Sequence, residues 1–208
     1  MKWEELLRIV GDEPVFRTGL LLVGDVRPEV VRQQLSRWVR AGRLYAVNRG
    51  LYALAPPWRK AEPHPFIVAN AMRPGSYVSL QSALAYHGVI PEHVPTVTSV
   101  GPCRPASVIT PLGAYAFRYL ARGMRFGYTK EEVMPGRTAF VASAAKALLD
   151  LIHLTPRGDQ PDFLSELRLD ADGRSLPADI VALARRSGKP KLLRAAEVVR
   201  RRPAGADR

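Results

Sequence analysis

The chain has 208 residues, 47% of them hydrophobic, and carries 31 Lys+Arg against 19 Asp+Glu, a formal charge of +12. That apolar content is enough for a packed core and argues against a disordered chain, while the cationic excess points to nucleic acid or an anionic membrane as partner. A single cysteine, Cys103, excludes an intramolecular disulfide and a cysteine zinc site; with acids in MKWEELLRIV where a signal peptide needs an apolar run, a cytoplasmic protein is expected.

Residues 1–57 read as one small domain. In WEELLRIV, Leu6, Ile9 and Val10 fall on one side and Glu4, Glu5 and Arg8 on the other, which predicts a short amphipathic helix. VFRTGLLLVG predicts a second, capped by Thr18 and stopped by Gly24. From Pro28 to Ala41 the apolar residues Val31, Leu35, Trp38 and Val39 recur at i, i+4, i+7 and i+8, with Pro28 suited to the first turn and Gly42 to a left-handed stop. The cap of this third helix is either Arg27, poor by residue type, or Asp25. After Gly42 the period changes to two. Leu44 and Ala46 face one way, Tyr45 and Val47 the other, Asn48-Arg49-Gly50 turns the chain, and Leu51–Leu54 returns it. Pro56-Pro57 ends the hairpin, and residues 58–63 read as a linker.

Residues 64–202 read as a larger mixed α+β domain, followed by a frayed tail at 203–208. PFIVANAMR predicts a helix, and in SYVSLQSALAYHGVI Ser79 caps another that Gly88 ends. VPTVTSV and AYAFRYL are β-leaning. SAAKALLDLIHL, PDFLSELRL, PADIVALARRSG and PKLLRAAEVVRRR are helical runs.

Three helices followed at once by a hairpin is the order of a winged helix-turn-helix, in which the third helix enters the major groove of DNA. With Val31, Leu35, Trp38 and Val39 inward, that helix shows Glu29, Arg32, Gln33, Ser36, Arg37 and Arg40 outward. Gln33 suits adenine, Arg32 or Arg37 suits guanine, and the other polar residues suit phosphates. Arg27 precedes the helix, and Asn48 and Arg49 sit at the hairpin tip, where Arg49 reaches a minor groove or a phosphate. Between residues 27 and 49 six arginines face a single acid, Glu29. No catalytic, cofactor or metal site is expected. His64, His87, His93 and His153 lack metal-ligand spacing, and Ser79, Ser82 and His87 lack a nucleophile elbow.

RQQLSRWVRAGRLYAVNRGLYAL at 32–54, SYVSLQSALAYHGVIPE at 76–92, PLGAYAFRYL at 111–120, RFGY at 125–128 and KALLDLIHL at 146–154 together resemble the AbiEi family of bacterial antitoxins and transcriptional regulators of abortive-infection systems. The resemblance implies a winged helix that represses its own operon by binding inverted repeats in double-stranded promoter DNA. It also implies a C-terminal domain that counters a nucleotidyltransferase-like toxin without a stable complex. The family usually has Glu-Lys-Ala-Leu where this chain has Ala145-Lys146-Ala147-Leu148, which leaves open an orphan regulator without a toxin. By residue spacing alone, Lys146 and Asp150 read as an exposed i, i+4 pair worth tenths of a kcal/mol. Two other classes remain: a protein-interaction module without a toxin partner, and a nucleic-acid-processing enzyme using His87, Ser79 or Asp150.

Overall fold

The computed structural model describes residues 1–23, 26–167, 169 and 176–201. The helix stop expected at Gly24, the alternative cap Asp25 and the tail 203–208 lie outside them. Among the described residues the chain is mixed α+β, with eight α-helices and two sheets.

Residues 1–54 form α1 (Trp3–Val10), β1 (Phe16–Arg17), a single 3-10 turn (Thr18–Leu21), α2 (Pro28–Arg40) and the hairpin β2 (Leu44–Asn48) and β3 (Leu51–Leu54). The second predicted helix is therefore corrected to two strand residues and one 3-10 turn. Phe16 and Arg17 pair with Tyr52 and Leu51, adding a third strand in the order β1-β3-β2, and Gly19 weakens helix propagation within TGLL. Thr18 is not its cap: Arg17 holds that position, and the Thr18 hydroxyl donates to the Gly50 carbonyl at 3.5 Å. Ile9, expected inward on α1, is 40% exposed.

α2 runs as its periodicity predicts. Arg27 is its N-cap, with no side-chain cap bond, and Pro28 opens it. The Arg43 amide then donates to the Trp38 carbonyl at 2.9 Å as Gly42 takes φ +67°, the left-handed geometry a residue with a Cβ resists. Val31, Leu35 and Trp38 are buried with Leu6, Val10, Phe16, Leu21, Leu44 and Leu54.

The hairpin alternates as its period predicts, with Leu44 to one side and Tyr45 and Val47 to the other; Ala46 is exposed, and the pairing register shifts between Ala46 and Asn48. Its two sides serve two cores: Leu44 and Leu54 join the small one, and Val47, Leu51 and Ala53 join the large one. The 58–63 segment likewise packs down, with the Trp58 ring 5.4 Å from Trp3, which lies 5.1 Å from Trp38.

The larger part begins with α3 (Pro65–Met72), β4 (Tyr77–Val78) and α4 (Leu80–Tyr86). β5 (Thr96–Gly101), β6 (Ala106–Thr110), β7 (Gly113–Tyr119), β8 (Tyr128–Met134) and β9 (Arg137–Ala142) follow, then α5 (Ala144–Leu154), α6 (Pro161–Glu166), α7 (Leu176–Ser187) and α8 (Pro190–Arg200). Its six-stranded sheet has the order β6-β7-β5-β4-β9-β8, with β5 parallel to β7 and β4 parallel to β9. β4 is only two residues long, so β9, paired with β8 along its length, is only partly paired on its β4 side. The Asn70 side chain of α3 fills the gap, accepting from the Phe140 amide at 2.6 Å.

Candidate nucleic-acid interface

α2 lies against β2 and turns Val31, Leu35 and Trp38 into the small core. Its opposite side is solvated as the spacing requires: Glu29, Arg32, Gln33, Ser36, Arg37 and Arg40 all lie outside the core, and so does Arg27 at the N-cap. The Arg32 guanidinium sits 3.7 Å from Glu29 with both side chains well exposed, a pair worth at most a few tenths of a kcal/mol that releases readily to another anion. Arg37 and Arg40, in the last turn, suit the negative end of the helix dipole.

The arginines divide by role. Arg43 is half-buried, its guanidinium 5.3 Å from the Trp3 ring centroid and 5.8 Å from that of Trp58, and so serves the core. Arg27, Arg32, Arg37, Arg40 and Arg49 remain on the surface. Arg49 stands at the hairpin tip beside Gly50, whose φ of +68° makes the tight reversal.

Asn48 is placed differently from its neighbour. It is half-buried, and its amide donates to the Met72 carbonyl at the end of α3, at 3.3 Å. Arg17 on β1 donates to the next carbonyl back, that of Ala71. These bonds tie β1 and the hairpin to α3, and Arg137 to Glu13 at 2.9 Å ties the turn after α1 to β9, while Lys60 to Asp12 at 2.5 Å holds the 58–63 segment to that same turn. Arg17 carried no sequence signal, because its part depends on the Arg17–Leu51 register. Asn48→Ala is expected to cost about 1 kcal/mol of stability, the net worth of one such hydrogen bond, read as a lower midpoint in urea unfolding.

A second constellation lies inside the larger part. Lys146 and Asp150, read by spacing as an exposed pair, are fully buried and ion-paired on α5. The helix is apolar all round, so no wet side is left for them. Asp150 also accepts from the Tyr77 hydroxyl at 3.0 Å and the Ser79 hydroxyl at 2.9 Å. Ser79 stands at the N-cap of α4 but does not cap it; its hydroxyl goes to Asp150 instead. Burial pulls the Lys146 ammonium below its ordinary pKa and pushes the Asp150 carboxyl above its own, and each group opposes the other's shift.

The surroundings are equally specific. The Lys146 ammonium lies 4.8 Å from the Phe126 ring centroid, Tyr77 stacks on Tyr128 at 4.3 Å, and a Cβ on Gly127 would come within 3.2 Å of the Lys146 side chain. Ser82 donates to the Thr96 carbonyl at 3.1 Å and accepts from the Thr98 amide at 2.8 Å. The segments YVSLQS, RFGY and KALLD thus meet at one buried cluster. His87 is not part of it: the residue is exposed, with its Nε2 2.8 Å from the Ala142 carbonyl. Ala145, the residue before Lys146, is 2% exposed.

Fold and surface together define a two-core α+β protein that presents an arginine-rich helix and hairpin to solvent. No family model matches the chain, and no curated protein matches it. Among the described residues no helix is long and apolar enough to cross a membrane, and no group of three His, Cys, Asp or Glu side chains is placed to hold a metal ion.

Proposed function

We propose that the protein is a DNA-binding transcriptional repressor, that residues 1–57 are a winged helix-turn-helix, and that α2 is its recognition helix. The observation that carries the reading is the outward row of Arg32, Gln33, Ser36, Arg37 and Arg40 on a helix whose other side is locked in the core, with Arg49 on the adjoining hairpin. A rigid helix lets these side chains meet base edges in one register, and arginines outside it supply phosphate contacts. In this domain the helix before α2 is reduced to one 3-10 turn, and β1 completes the small sheet.

We assign the antitoxin role from the resemblance to the AbiEi family: the chain autoregulates its operon through inverted repeats in its own promoter and counters a nucleotidyltransferase toxin without a lasting complex. The alternative is an orphan regulator with no toxin beside it. Co-expression with the product of the adjacent gene separates them, since an antitoxin restores growth that the toxin alone arrests.

DNA affinity is expected to fall steeply with salt, because each phosphate neutralised adds about 0.9 to the slope of log K against log salt. Arg49→Ala should lower that slope by roughly 1 and weaken all sequences alike. Titrations of the upstream DNA at several salt concentrations read both effects, and an unchanged slope would remove Arg49 from the phosphate contacts.

A further inference from the structure

α2 carries an apolar side chain among its polar ones. Val30 is 52% exposed, and Val30, Gln33 and Arg37 follow one another at i, i+3 and i+7, one line along the helix. A β-branched residue adds nothing to helix propensity at a solvated position, where a polar long-chain residue serves the fold better. Nor is Val30 isolated: Leu20 (41%), Val23 (76%) and Val26 (42%) are exposed just before it, at the end of α2 that a recognition helix pushes deepest into the groove.

Among base edges in the major groove, the only apolar group is the thymine C5-methyl. We propose that Val30 reads a thymine methyl beside the base pair that Gln33 contacts, so the operator half-site carries a required thymine there. This rests on the DNA-reading role of α2. Gln33 paired with adenine and Val30 on a neighbouring methyl would together select an A·T-containing step that the arginines, with their preference for guanine, do not specify.

The test uses the DNA upstream of the gene, amplified either normally or with deoxyuridine in place of thymidine, which removes the methyl and leaves every hydrogen-bonding edge intact. Single thymine-to-uracil changes then map the position. The full-length wild type is expected to bind the uracil DNA about four-fold more weakly per half-site, the worth of one buried methyl. Val30→Ala, whose single methyl reaches less far, should narrow the difference between the two DNAs. Specific binding that is indifferent to uracil overturns the proposal, as does equal uracil sensitivity in wild type and Val30→Ala, which would give the methyl to another residue. Absence of specific binding to either DNA fails the DNA-reading role itself, and this proposal falls with it.

Discussion

Lys146→Met and Asp150→Asn are each expected to lower stability by about 3–5 kcal/mol, the range for breaking a buried ion pair from one side. The reason is the absence of solvent: both side chains are fully buried, so the partner left behind keeps a charge that water cannot reach. Asp150→Asn retains an oxygen for the Tyr77 and Ser79 hydroxyls but leaves Lys146 beside Phe126 with no counter-ion. Lys146→Met/Asp150→Asn removes both charges and keeps that acceptor, so the double variant should be more stable than either single one. Guanidinium unfolding of the four proteins reads this as a coupling energy. Single-variant losses of only tenths of a kcal/mol would return the pair to the exposed i, i+4 class.

The second large effect falls on the proposed interface. Arg37→Ala and Gln33→Ala should each cost about 1–3 kcal/mol of specific DNA binding, roughly five- to 150-fold in affinity, by removing a bidentate base contact. Neither should unfold the protein, since both side chains point away from the small core. Specificity should relax as well. Removing a base-reading side chain brings operator and scrambled DNA closer together in affinity, whereas removing a phosphate-binding one weakens both equally. Unchanged unfolding midpoints beside reduced discrimination would separate recognition from folding.

How much of this was legible in the sequence follows from the length of each signal. α2 spans more than three turns with its apolar residues at helical spacing, Pro28 at its start and Gly42 at its end, so both its bounds and its buried side could be read. The hairpin was legible from its turn and its alternation, but its register shift was not, and neither was the second core that Val47 joins on the side away from Leu44. β1 and β4 have two residues each and carry no periodicity; pairing alone makes them strands. β8 reads TKEEVM after Tyr128, too polar for a strand pattern, and is held by its register with β9.

The candidate interface was largely legible because exposure follows from helical phase. Asn48 departs from that reading, its amide being committed to Met72, and Val30 went unnoticed because an apolar residue beside the polar ones belongs to neither pattern. The buried cluster was misread for a related reason: an i, i+4 Lys–Asp spacing describes a surface helix as well as a buried one. The clue lay in the alanines and leucines on every side of it, where no wet side remains.

The most direct test of the central claim is a fluorescence-anisotropy titration of the full-length protein against DNA from upstream of its own gene, with a scrambled duplex of equal length and composition as control. Saturable binding that favours the upstream DNA at least ~10-fold at moderate salt, with the preference reduced in Arg37→Ala, is the predicted result. Equal affinity for the two duplexes, or a preference undiminished in Arg37→Ala, would contradict α2 as the recognition helix.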